Sequence, residues 1–280
     1  MSMLYFWLEG SDLPAGIGFG LFTAQHFAAL TVCCLAMALL CLWFVRLSQH
    51  SQALTLRLLA VLLLAGNLVR DLFLLSIHRM SIAYLPLHLC SFSIFVYLLH
   101  AFLPETDRIV TTSADLSAPR SHIVRTIGQS RFREALGEIG VVLLMPGSFC
   151  ALLFPDWSAY PLWNFLSIHS FVWHTVLAVY PMLLLASGRV HPTIRHIWYP
   201  FVYLLIEVPP TWLFDVKTGC NYLFVSRPVP GTPLEWLQER MGSAWRAGYA
   251  LLVAAVILII YLVIELCRAL YRRLSSRSLL

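Results

Sequence analysis

Charge is what this sequence has least of. Only 12% of its 280 residues are Asp, Glu, Lys or Arg, and Lys217 is the single lysine beside eighteen arginines. A soluble domain carries about a quarter charged residues. With 59% hydrophobic residues and a mean hydropathy of +0.77, the chain cannot hide its apolar surface in one water-facing globule. The basic residues are scattered between apolar blocks, so no nucleic acid is expected as a partner. No Cys-x-x-Cys pair and no Cys/His zinc spacing occurs among the seven cysteines, so neither a metal nor a cofactor is expected. Glu9 and Asp12 precede the first span with no Lys or Arg, so the basic start of a cleaved signal peptide is missing and the first residues are expected to be kept. No internal repeat is evident.

What is present are long apolar runs. Crossing a hydrocarbon layer of roughly 30 Å takes about 20 helical residues. Seven stretches qualify: residues 21–45, 54–77, 83–103, 134–154, 162–187, 194–215 and 246–268. The expected fold is therefore all-α, a single polytopic membrane domain of seven helices with membrane lipids as its partners. Thirteen basic residues flank one side, five the other, and Arg70 falls inside a span. Since basic residues collect in the cytoplasm, the N-terminus is expected outside and the C-terminus inside. Trp157, Trp163, Trp198, Tyr199, Trp245 and Tyr249 lie near span ends, as an interfacial belt requires. Residues 104–133 read as a polar cytoplasmic linker, and 216–245 as an outer loop.

Polar groups at membrane depth are costly, which makes each a candidate for function. Asn67, Arg70 and Asp71 share one face of the second span. That face suits either a binding site or a buried pair that orders helices. Glu207 and Asp215 lie in the sixth span, where Pro200, Pro209 and Pro210 predict a break or kink beside a cavity. His88 and Cys90 are two residues apart and face opposite ways on a regular helix. His169 and His174 are five apart and also lie on different faces. At about 1.5 Å per residue, Cys90 falls roughly 10 Å and Glu207 roughly 12 Å below the outer span ends, close to Arg70, Asp71 and His169. A thiol near a histidine suggests nucleophilic acyl transfer, with a cation for the oxyanion. Plain packing and a transport path fit the same residues.

Several segments resemble one family. Leu85-Pro-Leu-His-Leu-Cys90 is similar to the third-span signature of YwaF-like bacterial membrane proteins, and Trp173-His-Thr-Val-Leu177 to their fifth span. Asp215-Val-Lys-Thr-Gly-Cys-Asn-Tyr-Leu-Phe224, with Arg227-Pro228 and Leu234-Glu-Trp-Leu237, resembles the family's loop motif. The resemblance runs from about residue 60 to 250. It implies a bacterial inner-membrane protein related to a eukaryotic transmembrane acyltransferase of ether phospholipids. It further implies Cys90 as nucleophile and His174 as base, although depth favours His169. Arg70, Asp71, His88, His169, Glu207, Asn221 and Tyr222 would line or close the substrate site. Cys220 lies outside the motif and is a candidate partner for Cys150.

Overall fold

The computed structural model describes residues 5–110 and 124–277. Nine α-helices dominate the described residues: α1 (Ala24–Phe44), α2 (Gln49–Ser76), α3 (Leu89–Phe102), α4 (Arg131–Ile139), α5 (Met145–Leu153), α6 (Phe165–Ala186), α7 (Trp198–Thr218), α8 (Pro233–Met241) and α9 (Trp245–Arg277). The starts follow from side chains that accept free first-turn N–H groups. Thr23, Ser48, Ser130, Asn164 and Thr232 each do so, for α1, α2, α4, α6 and α8.

Part of the expected linker is ordered as strands. Residues 105–110 and 124–129 pair antiparallel as β1 (Glu105–Val110) and β2 (Val124–Gln129), with Glu105 opposite Gln129 and Val110 opposite Val124. The rest of the linker, 111–123, lies outside the described residues, and its end is already α4. The all-helical expectation holds apart from this ribbon.

Five helical segments are long and apolar enough to cross a membrane: Ala24–Phe44, Gln49–Ser76, Arg131–Ala159, Phe165–Ala186 and Pro233–Leu274. The other two expected spans exist as helices but differ from that standard. Helix α3 has 14 residues, or about 21 Å at the α-helical rise. It starts late because Leu85, before Pro86, is held extended (ψ 150°), and His88 is extended as well (ψ 148°). Helix α7 is long enough, but Glu207, Asp215 and its prolines dilute its apolar character. Of the break or kink expected there, no break occurs. The helix runs through Pro209 and Pro210 to Thr218 and stops at Gly219, whose φ of 74° only glycine adopts without cost.

Helix α6 is the hub, packing against α1, α2, α3 and α5. Leu177, Ala178, Val179, Tyr180 and Leu184 of α6 have no exposed surface. Pro181 interrupts its ladder by withholding an N–H from the Leu177 carbonyl, and the Tyr97 hydroxyl of α3 donates to that oxygen at 3.1 Å. Between α4 and α5 the chain makes one π turn, Gly140–Leu144. It precedes Pro146, whose ring would crowd a tighter turn. Helices α1, α2 and α9 instead turn large apolar side chains outward, among them Leu35, Leu39, Leu58, Leu251 and Leu266. That pattern suits lipid and not water.

Residues 5–23 close one end of the bundle. Phe19 N–H donates to the Tyr160 carbonyl and Gly20 N–H to that of Ser158. Asn164 Nδ2 donates to the carbonyls of Tyr5 and Leu8, both at 2.8 Å. Gly18 lies so close that a Cβ would meet the Ser158 oxygen at 2.5 Å. At the opposite end Glu138 is buried, 2.7 Å from His196 Nδ1, and accepts from the Tyr261 hydroxyl at 3.2 Å. That contact joins α4, the turn before α7 and α9.

Candidate active site

Below the N-terminal cap, α2, α3, α5, α6, α7, α9 and the loop after α7 enclose a cavity of about 1150 Å³. Its walls are mainly apolar, from Ala151 on α5 and Phe154 just after it to Phe201, Leu205 and Trp212 on α7 and Val253 and Val256 on α9. Five residues singled out in the sequence line it together: Arg70, His88, Cys90, His169 and His174. Regular helical geometry put His88 and Cys90 on opposite faces. They share the cavity because the helix begins after His88, which is its extended N-cap residue.

Cys90 is the second residue of α3. It therefore lies in the first turn, where backbone N–H groups have no partner within the helix. Its expected depth of a few turns is replaced by a place at the helix mouth. His174 Nδ1 is 2.8 Å from the Ser170 carbonyl, its own helix one turn back, and 3.2 Å from Ser170 Oγ. A carbonyl only accepts, so Nδ1 carries the proton in the neutral ring and Nε2 keeps a lone pair. His169 is the converse. Its Nε2 donates to the Gly66 carbonyl of α2 at 3.0 Å, which leaves Nδ1 basic. Gly66 makes that approach possible, since a Cβ there would come within 3.3 Å of Trp173.

Arg70 is fixed by its neighbours. Its Nε and Nη2 lie 2.9 and 2.7 Å from one Asp71 oxygen, and Nη2 also donates to the Tyr84 carbonyl at 3.1 Å. Asn67 Nδ2 holds the other Asp71 oxygen at 2.8 Å. Asp71 is thus the counter-ion behind the cavity wall. From this place Arg70 interacts electrostatically with His88, Cys90, His169 and His174.

Glu207, Asn221 and Tyr222 stand outside the lining. Glu207 is buried on α7 beside Tyr203, one turn earlier. Asn221 folds the loop: its Oδ1 accepts from the N–H groups of Ser226 and Arg227, and its Nδ2 donates to the Arg227 carbonyl at 2.9 Å. Tyr222 N–H donates to Asp215 Oδ1 at 3.0 Å, and its hydroxyl donates to the Ile82 carbonyl just before α3. Burial pushes the Tyr222 phenol up to about 12, so that donor keeps its proton at neutral pH. The next two residues, Leu223 and Phe224, have φ of 52° and 55°. Such left-handed conformations cost about 1–2 kcal/mol each. They turn both side chains into the cavity wall and bring Phe224 within 5.3 Å of the His88 ring. The motif's function in the fold is to build this wall.

Tyr84, Asp156, Trp157 and Arg246 are among the lining residues that carried no functional expectation. Trp157 had been an interfacial aromatic and Arg246 one count in the charge balance. Asp156 follows Pro155 just after α5, and no spacing rule marks it. Cys150 lines the cavity from α5 while Cys220 follows the turn at Gly219, and both are free thiols. The suggested disulfide is therefore absent. No group of His, Cys, Asp and Glu suited to a metal occurs among the described residues.

Fold and cavity define a multi-pass, helical integral membrane protein with a thiol- and imidazole-lined chamber at one end of its bundle. The model of the TMEM164 family matches residues 21–265, and the chain belongs to that family. Searches of curated proteins and of solved structures return no significant match.

Proposed function

We propose that the protein is a lipid acyltransferase that works through an acyl thioester on Cys90 with His174 as base. The supporting observation is the shared wall: thiol, imidazoles and guanidinium converge on one mainly apolar chamber. Its volume of about 1150 Å³ lies above the roughly 300–1,000 Å³ of ordinary small-molecule sites and suits an acyl chain. His174 Nε2 takes the thiol proton, and the thiolate adds to the ester carbonyl of a donor lipid. The developing oxyanion is held by Arg70 and the first-turn N–H groups of α3. The C–O bond breaks, the leaving oxygen takes the proton from His174, and the acyl group stays on Cys90. An acceptor hydroxyl then gives its proton to His174, attacks the thioester and releases the thiolate.

The same proposal includes seven spans, counting α3 and α7, with the N-terminus outside a bacterial inner membrane. The cavity then lies toward the outer leaflet, within reach of phospholipids. The transport alternative drew on a kinked sixth span with Arg70–Asp71 and Glu207; α7 runs unbroken through its prolines, and neither Asp71 nor Glu207 lines the chamber. The test is intact-protein mass spectrometry of wild type and Cys90→Ser after incubation with phospholipid, before and after neutral hydroxylamine. A fatty-acyl mass on wild type alone, removed by hydroxylamine, is expected. Full acyl transfer by Cys90→Ala would overturn the mechanism.

A further inference from the structure

Helix α7 is fastened near its ends and left free along its middle. It packs on α4, and its Tyr203 ring lies 6.4 Å from that of Phe92 on α3. Its last turn is tied to the loop that follows, where Asp215 accepts from Tyr222 N–H at 3.0 Å. It hardly packs against α5 or α9, which form the facing walls of the chamber.

One flank of that middle stretch belongs to the chamber. Phe201, Leu205, Val208, Pro209 and Trp212 all line it, and all five are exposed, Leu205 by 72% and Trp212 by 47%. At about 100° of turn per residue, they lie between two other rows on the same helix. On one side is the buried row of Glu207, Thr211 and Asp215. On the other is the row of Val202, Ile206 and Leu213, which is exposed and lines no part of the chamber. A closed wall would need a second buried row between the chamber and the surroundings. Helix α7 has none, since its buried residues form a single narrow stripe. The facing helix is alike: on α9, Ala250 and Leu252 line the chamber and are exposed, beside outward Leu251.

The chamber is thus open sideways, along a strip of α7 that carries no charged side chain. From Phe201 to Trp212 the strip is about 17 Å long at the α-helical rise, close to one leaflet of a roughly 30 Å hydrocarbon layer. Apolar surface exposed at that depth is covered by acyl chains. Cys90 lies inside, interacting electrostatically with Tyr203 near the start of the strip. We propose that α7 and α9 frame a lateral window through which an acyl chain of the surrounding bilayer passes sideways to Cys90. The window rests on the acyl-transfer proposal for its purpose and adds the route to it, but its test needs no transfer.

The full chain is placed in dioleoyl phosphatidylcholine vesicles whose membrane contains N-dodecylmaleimide, and the alkylation rate of Cys90 is read by peptide mass spectrometry. Cys90 should react in the wild type. Leu205→Trp and Val208→Trp fill the window and should slow the reaction about tenfold, within the range that displacing an overpacked side chain costs. Ile206→Trp adds the same bulk on the outward row and should leave the rate unchanged. Leu205→Ala, which widens the opening, should raise it several-fold. A wild-type Cys90 that the membrane-borne reagent does not reach overturns the window, and a second copy of the chain seated on the strip would give that result. So would an undiminished rate in both filled variants, or an equal loss in Ile206→Trp. The thioester measurement is separate. Entry through the window without any thioester would retire acyl transfer and keep the route, whereas a thioester with undiminished entry in the filled variants would do the reverse.

Discussion

His174 and His169 differ in which nitrogen is committed, and that difference separates their roles. His174 anchors Nδ1 on its own helix at 2.8 Å and keeps Nε2 for the chamber. His169 spends Nε2 at 3.0 Å on the Gly66 carbonyl, tying α6 to α2, and its ring stacks on Trp173 with an interplanar angle of 24°. General-base catalysis is worth about 10²–10⁴-fold. His174→Ala should therefore lower acyl transfer at least about a hundredfold with little change in thermal stability. His169→Gln keeps a donor for Gly66 and should retain most of the rate. Turnover rates and melting curves of the two variants in the same detergent check this, and the opposite ranking would exchange their roles. Arg70 and Asp71 act as a unit. The pair is worth keeping intact because a buried cation stripped of its carboxylate is strongly destabilising, by about 3–5 kcal/mol in measured cases.

Among the elements, the start of α3 decides the chemistry. A turn at Pro86 and Leu87, between extended Leu85 and His88, places the thiol in the first turn of α3 and turns His88 and Cys90 into one space. The chain just before that turn is held from two sides, by the Tyr222 hydroxyl on Ile82 and by Arg70 on Tyr84. The N-terminal cap stands over the same end of the bundle and depends on close backbone contact at Gly18. A methyl group there would come within 2.5 Å of the Ser158 oxygen and 2.6 Å of the Ala159 carbonyl carbon. Neither backbone atom can rotate away. Gly18→Ala should cost about 1–3 kcal/mol, as other overpacked substitutions do. It should also loosen the 156–160 turn that carries Asp156 and Trp157. Thermal unfolding together with limited proteolysis of residues 5–23 would detect this, and an unchanged melting temperature and cleavage pattern would show the cap to be dispensable.

For the whole molecule, the two ends of the bundle have different work. One holds the chamber; the other holds the Glu138–His196–Tyr261 contact and the β1–β2 ribbon. The arginine balance proposes that the ribbon end is cytoplasmic. Gln238, exposed on α8, and Gly128, on β2, then lie on opposite sides of the membrane. A membrane-impermeant maleimide should label Gln238→Cys in intact cells and Gly128→Cys only after permeabilisation, each judged against the wild-type background. The reverse labelling would invert the molecule and place the chamber in the inner leaflet.

Hydropathy and arginine placement were enough to define a membrane protein, the positions of its helices and the polar residues worth watching. This is so because lipid imposes a one-dimensional rule: about 20 apolar residues cross, and charges stay near the ends unless protein covers them. Arg70, His88, Cys90, His169 and His174 were all legible in that way, and all five line the chamber. Other features needed the folded chain. The late start of α3 depends on ψ angles before and after Pro86, and periodicity assumes a regular helix. The persistence of α7 through two prolines and the pairing of β1 with β2 likewise depend on neighbours that local pattern does not name. Asp156 and Arg246 are more than 80 residues apart in sequence, and each alone is an ordinary charge near a helix end. Only tertiary packing puts both on the wall of one chamber, because proximity in three dimensions is not set by order along the chain.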